Sequence, residues 1–339
     1  MVLVKPRTIL VHEYVTGGGF QALPETPSLR AEGETMLRAV LADFKAWGQA
    51  RILTTRDPRL EGPAFEADQT MSLDPETHAE GFAELAGRAD AVLVIAPEEN
   101  GVLAGLSALV LAAGAGLLGS LPQGVRAAGD KWICHNFLRK AGLPGPDTVL
   151  AGPGQARAAA RDFGFPVVLK TVDGQGSLGV CLATDQASLD KSLELLGEAK
   201  PLLVQGYQEG VQASASLLVC EQGVLPLCLN AQDIRPGIPF SYQGGVTPLA
   251  HPEAASALAL AARAVRAIPG LRGFVGVDLV LGSNGCLVIE VNPRLTVAYA
   301  GVRRVVDCNL AQAITAACLD GVLPERIEVS GQVRFGEKG

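Results

Sequence analysis

Two carboxylates stand inside apolar runs in the C-terminal third of the chain. The runs are Phe274-Val275-Gly276-Val277-Asp278-Leu279-Val280-Leu281 and Cys286-Leu287-Val288-Ile289-Glu290-Val291-Asn292-Pro293-Arg294, joined by Gly282-Ser283-Asn284-Gly285. Two β-type runs around such turn residues read as a hairpin. A carboxylate among apolar residues is costly to bury alone, so each acid needs a partner. A three-residue loop, Ser283-Asn284-Gly285, places Asp278 opposite Glu290 and Gly276 opposite Asn292. A two-residue Asn284-Gly285 turn would send the two acids to opposite faces. The first register gathers Asp278, Glu290 and the amide oxygen of Asn292, a donor set suited to a hard divalent cation, Mg²⁺ or Mn²⁺. The plain alternative is a pair of solvent-facing acids on a sheet edge.

A second constellation is basic and glycine-rich. Asp173-Gly174-Gln175-Gly176-Ser177-Leu178-Gly179 follows Val167-Val168-Leu169-Lys170 and precedes Val180-Cys181-Leu182-Ala183. A dinucleotide fingerprint needs a helix directly after its glycines, and here a strand follows. No Gly-Lys-Ser/Thr closes the loop, so it is not a P-loop. A glycine-rich hairpin can still lie over a phosphate chain, because Gly174 and Gly176 let backbone N–H groups approach closely while Gln175 and Ser177 add donors. Lys170 ends an apolar strand and needs an anion there. Lys131 opens a helix behind Asp130, where a cation opposes the macrodipole unless a phosphate sits nearby. Each lysine alone is an ordinary surface charge. With the loop they make a polyphosphate clamp.

These residues need a scaffold, and its elements are legible. A strand over 8–15 runs into Gly17-Gly18-Gly19. A helix at 29–47, a strand at 50–54, a helix at 76–88, a strand at 90–95, a helix at 102–113 and a strand at 115–119 follow, an alternation that implies a parallel sheet. Beyond residue 120 the spacing predicts helices at 130–141, 155–163, 186–197, 252–268 and 308–320. Strands are expected at 166–171, 180–183, 202–205, 213–220, 224–229, 274–281 and 286–291, with a hinge near Gly206. The fold class is therefore α/β passing into α+β.

Composition narrows the function. The chain has 339 residues, 48% apolar and 19% charged, which suits two or three domains with real cores. Its net charge of −7 and its 5% aromatic content argue against nucleic acid as a partner. Seven cysteines without C-x-x-C spacing read as reduced thiols, hence a cytoplasmic protein. The N-terminus lacks the apolar segment and cleavage site of a signal peptide. Val102 to Leu121 carries no charge, but its glycines break it into a buried helix and a strand, so no membrane span is expected. The histidines at 12, 78, 135 and 251 show no metal spacing, there is no G-x-S-x-G, and Gly17-Gly18-Gly19 lacks the spacing of a nicotinamide site.

Taken together, Asp130-Lys131-Trp132, the strand ending at Lys170, the loop 173–179, Leu202-Leu203-Val204-Gln205-Gly206-Tyr207, the strand around Asp278 and Ile289-Glu290-Val291-Asn292-Pro293-Arg294 resemble, in order, the ATP-grasp superfamily of carboxylate–amine ligases. The resemblance spans about 120–300. It implies an ATP-grasp fold: an N-terminal Rossmann-like parallel sheet (1–120), a mobile central lid (121–205) and a C-terminal antiparallel sheet (206–339), with ATP between lid and sheet. It implies phosphate contacts from Lys131 and Lys170, backbone contacts to adenine from Gln205, Gly206 and Tyr207, and Mg²⁺ or Mn²⁺ on Asp278, Glu290 and Asn292. Gln212 stands nearest the place where a family acid grips the ribose. Arg294 and Lys170 would be catalytic. A narrower resemblance, in Ile9–Gly19, Leu229–Gln232, Ser241–Pro248 and Asn292–Gly301, is to the tyramine–glutamate ligases of methanofuran-type cofactor synthesis. It places Glu13, Gly17, Gly18, Arg235, Tyr242 and Gly245 on the substrate side. The implied reaction joins a small carboxylate to an amine through an acylphosphate, releasing ADP and phosphate. The alternatives are a nucleotide-binding regulatory protein on the same fold without turnover and, less favoured, a nicotinamide oxidoreductase. Homo-oligomerisation is left open.

Overall fold

The computed structural model describes residues 6–20, 27–174, 179–283 and 285–336. Apolar strands buried on both faces make the first layer. Strands β1 (Arg7–Glu13), β2 (Ala50–Arg56), β3 (Gln69–Ser72), β4 (Ala91–Ile95) and β5 (Gly116–Leu117) form a parallel sheet in the order β3-β2-β1-β4-β5. Successive residues of β1 point to opposite faces. Ile9 and Val11 meet Leu37, Val40 and Phe44 of helix α1 (Pro27–Trp47). Leu10 joins Phe82 and Leu103, from helices α2 (His78–Gly87) and α3 (Val102–Ala112), on the other face. The uncharged α3 is part of this core, and no helix among the described residues is long and apolar enough to cross a membrane.

Helix α4 (Pro122–Gly129) leads to α5 (Lys131–Lys140), whose first turn is capped by the Asp130 carboxylate accepting from the N–H groups of Trp132 and Ile133. A four-stranded antiparallel sheet follows, built from β6 (Thr148–Ala151), β7 (Val167–Thr171), β8 (Val180–Ala183) and β9 (Leu202–Gly206) in the order β6-β9-β7-β8. Helices α6 (Ala156–Phe163) and α7 (Gln186–Leu196) cover it, and Val167, Leu169, Leu189, Leu193 and Val204 give it a core of its own.

The third sheet has six strands, β10 (Val211–Cys220), β11 (Gly223–Arg235), β12 (Ser241–Thr247), β13 (Gly273–Gly282), β14 (Gly285–Asn292) and β15 (Val333–Phe335), in the order β14-β13-β10-β11-β12-β15. Helix α8 (Ala254–Arg266) lies on one face over Ala213, Val275 and Val277. Helices α9 (Tyr299–Val302) and α10 (Leu310–Thr315) lie on the other, where Tyr299, Leu310 and Ile314 share one core with Leu37 and Phe44 of α1. The first and third sheets are thus joined through a common apolar layer, while the middle sheet is packed separately.

Several elements differ from expectation. The helix expected over 308–320 stops at Thr315 and continues as a π turn over Ala316–Asp320, closed by Gly321 in the left-handed region. Helix α4 and strands β3, β6, β12 and β15 were not foreseen. They are short, and β12 carries two glycines, so neither period shows in the sequence.

Candidate active site

The acidic hairpin reaches its register by an unexpected route. Gly282 pairs with Gly285, a two-residue turn, and the ladder continues through Leu281–Cys286, Val280–Leu287 and Leu279–Val288. Carried on, that register would part the two acids. A bulge at Ile289 shifts it, so that Asp278 faces Glu290 and Gly276 faces Asn292. The expected three-residue loop is replaced by a shorter turn and an inserted residue, with the same pairing at the acids.

Around this pair the charges are interlocked. Lys131 Nζ lies 3.4 Å from Glu290 Oε2 and donates to the carbonyl oxygen of Gly174 at 2.6 Å. Asn292 Nδ2 donates to Asp278 Oδ2 at 3.2 Å and Gln232 Nε2 to Asp278 Oδ1 at 3.1 Å. Burial, and then the neighbouring Glu290 charge, push the Asp278 carboxyl up to about 7. Burial acts the same way on Glu290, but Lys131 and Lys170 outweigh it and hold that carboxyl below its ordinary value. Burial lowers the Lys170 ammonium, with Glu290 opposing, while on Lys131 the attraction of Glu290 and Glu98 overcomes burial and raises it.

A cavity of about 720 Å³ reaches Lys170, Gln232, Asp278, Glu290 and Asn292, bounded by residues of all three sheets. Lys170, Thr171, Gly174 and Gly179 wall one side, and Gln205, Gly206, Tyr207 and Gln212 another. Gln175, Gly176 and Ser177 lie outside the described residues. Thr171 Oγ1 is buried with no hydrogen-bond partner among the described residues, and a Cβ on Gly179 would stand 2.6 Å from it. Gly174 lies against the same hydroxyl, so a Cβ on either glycine would crowd it. In the β9 segment, the N–H of Gly206 donates to Asp147 O at 3.1 Å and that of Tyr207 to Pro166 O at 3.2 Å, and Gln205 Nε2 donates to Thr148 Oγ1. Those two N–H donors are thus already engaged within the chain.

Beyond the acids the cavity continues past Arg294, Glu13, Glu32, Met36 and Tyr242. Arg294 Nε donates to Glu98 Oε1 at 2.9 Å and its Nη1 to Leu295 O at 3.0 Å. Burial pushes the Tyr242 phenol well up, so it stays protonated. Four expected substrate residues are placed elsewhere. Arg235 is exposed and off the cavity wall. Gly17 packs against the Glu13 carbonyl and Thr55, and Gly18 turns the chain at φ +89 against Leu73. Gly245 packs between Ala231 and the Phe335 ring, where no side chain fits. These glycines shape the backbone. Conversely, Glu98, Gln232 and Thr171 were missed. Glu98 follows the carboxyl end of β4, the place where parallel sheets gather their sites, and that signal was available.

A family model described as an ATP-grasp domain matches residues 128–298, and one described as a pre ATP-grasp 3 domain matches residues 50–125. The chain belongs to the ATP-grasp family. The tyramine–L-glutamate ligase of Methanocaldococcus jannaschii is 25% identical over 301 residues, covering 87% of this chain and 84% of that protein. Among solved structures, the biotin carboxylase of Campylobacter jejuni in complex with β,γ-ATP covers 97% of this chain and 74% of its own at TM-score 0.74 and 17% identity. The L-amino acid ligase of Bacillus licheniformis gives TM-score 0.71 at 15% identity, covering 93% of this chain and 75% of its own. The ATP-grasp assignment and the ligase relatives make this chain an ATP-dependent C–N ligase that forms amides.

The site of this ATP-grasp chain fits a divalent cation. Asp278 and Glu290 oppose each other in a buried setting that penalises two bare charges, and the Asn292 amide, whose Nδ2 is turned to Asp278, has Oδ1 left for a ligand. Among the described residues no three His, Cys, Asp or Glu side chains cluster. Two carboxylates and an amide are still what Mg²⁺ takes when substrate phosphates and waters complete its shell.

Proposed function

We propose that this ATP-grasp ligase activates the carboxyl group of glutamate and joins it to tyramine or a similar aromatic amine. The observation that carries this reading is the single cavity leading from the β9 segment, past Lys170 and the paired acids, to Arg294 and Tyr242. It offers one end to a nucleotide and the other to a small acid with an aromatic neighbour. The similarity to a tyramine–L-glutamate ligase over most of the chain supports the same substrates.

In the first step a substrate carboxylate oxygen bonds to the γ-phosphorus of ATP, the bond to the β,γ-bridging oxygen breaks, and ADP leaves. In the second the amine nitrogen bonds to the acyl carbon, the C–O bond to phosphate breaks, and the amine's surplus proton leaves with phosphate or water. Phosphoryl transfer of this kind depends on positioning and charge neutralisation more than on an acid or base. Asp278, Glu290 and Asn292 would hold Mg²⁺, which when bound neutralises phosphate charge. Lys170 and Lys131 would face the phosphates, the Thr171 hydroxyl would donate to one of them, and Arg294, held by Glu98, would receive the substrate carboxylate. Tyr242 would pack on the aromatic ring of the amine, a contact of about 0.5–1.5 kcal/mol.

The test is a matrix of glutamate, aspartate and alanine against tyramine, ammonia and alkylamines with ATP and Mg²⁺, read as ADP release and as amide by mass spectrometry. Glutamate with tyramine should give the largest yield. Amide from another pair but not from this one would refute the substrate assignment and leave the ligase class standing.

A further inference from the structure

One wall at the substrate end of the cavity comes from outside the segment that matches the ATP-grasp domain. That match covers residues 128–298, whereas strand β15 (Val333–Phe335) lies beyond it and brings Phe335 to the cavity wall beside Tyr242, Val297 and Met36. Strand β15 pairs antiparallel with β12 through Gly245–Phe335, Val246–Arg334 and Thr247–Val333. Tyr242 lies before Gly245, outside this ladder. On that side its ring is held by packing and not by backbone hydrogen bonds.

The packing is built on glycines. A Cβ on Gly245 of β12 would stand 2.5 Å from Cζ of the Phe335 ring, and a Cβ on Gly301 of α9 would stand 2.7 Å from its Cδ1. The ring fills a slot between β12 and α9 that a side chain at either place would close. Gly244, at φ +113, brings β12 so near that a Cβ would meet the Phe335 carbonyl oxygen at 2.8 Å. Past Phe335 the chain passes through Gly336, at φ +66, where a Cβ would stand 3.2 Å from the Tyr242 hydroxyl and 2.8 Å from Cγ1 of Val297. Glycine in a strand marks a place that another group approaches closely, and these glycines converge on one ring and the backbone after it. Phe335 is 5% exposed and belongs to the core shared by the first and third sheets. Tyr242 packs against that core, is only partly buried and faces the cavity. The buried ring can therefore act on a substrate only through the open one.

We propose that β15, through Phe335 and Gly336, fixes the ring of Tyr242 and so selects the amine by its size and shape. Phe335 is a positioning residue: it sets where Tyr242 stands, and Tyr242 meets the amine. This rests on the ligase reading above, in which Tyr242 packs on the ring of the amine, and adds the element that makes that contact selective. A wall backed by a close-fitting ring cannot follow the substrate. A smaller amine leaves a gap and loses contacts, and a bulkier one must displace packed atoms.

The test measures ADP release with ATP, Mg²⁺ and the preferred acid for ammonia, butylamine, tyramine and tryptamine, and compares kcat/KM of the best amine with that of ammonia. The wild type should favour its best amine about tenfold or more. Phe335→Ala should cut that advantage about fivefold or more, through KM for the amine, while KM for ATP and calorimetric Mg·ADP binding stay within about twofold. Phe335→Leu, which refills the slot, should recover most of the advantage. In a Tyr242→Ala background Phe335→Ala should change it no further. Gly336→Ala, which presses on Tyr242 without emptying the slot, should act like Phe335→Ala and carries the test if that variant does not fold. An unchanged advantage in the variants, a further loss in the Tyr242→Ala background, or a wild type that favours ammonia or uses all amines alike would overturn the inference. A best amine other than tyramine would reject the substrate assignment, and the same comparisons made with that amine would still decide the inference.

Discussion

Asp278 and Glu290 face each other across a hairpin whose surroundings treat them unequally. Lys131 and Lys170 keep Glu290 charged, whereas burial, and then the Glu290 charge, push Asp278 up to about 7 against the two amide donors. A cation arriving at this pair must displace the Asp278 proton whenever the pH is below about 7. Affinity for Mg·ADP should therefore fall about tenfold per pH unit as pH drops below 7, and level off above it, as one displaced proton requires. Titrations at pH 6, 7 and 8 check this, and affinity independent of pH would contradict it. Glu290→Gln keeps the size of the side chain, so the far-ultraviolet circular dichroism should not change. It also removes the proposed metal donor and the partner of Lys131, so Mg²⁺-dependent ADP release should drop at least about 100-fold, on the scale of losing a charge-stabilising group from such a site. A Glu290→Gln variant within tenfold of wild type would remove that residue from the machinery.

At the scale of the element, β1 carries a buried histidine beside the Glu13 carboxylate it presents to the cavity. His12 Nδ1 lies 2.7 Å from Thr55 Oγ1, and its Nε2 lies 3.2 Å from Nε2 of His78 on α2. Burial holds both rings below the ordinary histidine value, and His78 lowers His12 further. The folded chain thus keeps them neutral while the unfolded chain takes up protons near 6.5. The unfolded state binds more protons below that value, so stability is lost as pH falls through it. Replacing His78 with phenylalanine should remove one such group. The stability of wild type relative to His78→Phe should decline by up to about 1.4 kcal/mol between pH 7.5 and 5.5. Denaturant unfolding at the two pH values measures the difference. An unchanged difference would show that His78 takes up its proton at the same pH in the folded and the unfolded chain.

For the whole molecule, the decisive contact joins its two ends. Asp43 of α1 accepts from the Tyr299 hydroxyl at 2.6 Å and from Arg303 Nε at 2.8 Å, and its carbonyl accepts from Asn309 Nδ2 at 2.8 Å. Tyr299 is fully buried in the layer shared by the first and third sheets. Removing the carboxylate strands a buried hydroxyl and a partly buried guanidinium, which costs about 2–4 kcal/mol. Asp43→Ala should lower global stability by that amount, and the loss should appear in one cooperative transition for the two sheets together. Separate transitions for residues before 120 and after 210, seen by hydrogen exchange, would show that the shared core does not couple them.

Much of this was legible in the chain before folding. The paired acids announced themselves by standing alone in apolar runs. Lys170 did so by ending one, and the order of the motifs from Lys131 to Arg294 pointed to the family. Local chemistry writes such signals, because a charge in an apolar strand must have a reason. The turn was legible only in part, since a bulge at Ile289 produces the register that a longer loop was expected to produce. Short-range preferences cannot distinguish the two routes, because a bulge forms to suit the twist and packing of its neighbours. The contacts that distant segments make with one another were not legible. Glu98 meets Arg294, Gln232 meets Asp278 and Gly33 meets Glu13 only when α1, β4, β11 and the acidic hairpin converge on one cavity. Likewise Gly17, Gly18 and Gly245 looked like ligand contacts and are places where backbone or a ring comes too close for a Cβ. Which side chains can do chemistry follows from residue type and immediate neighbours. Which of them share a site follows from packing between segments far apart in the chain, and only the tertiary structure decides that.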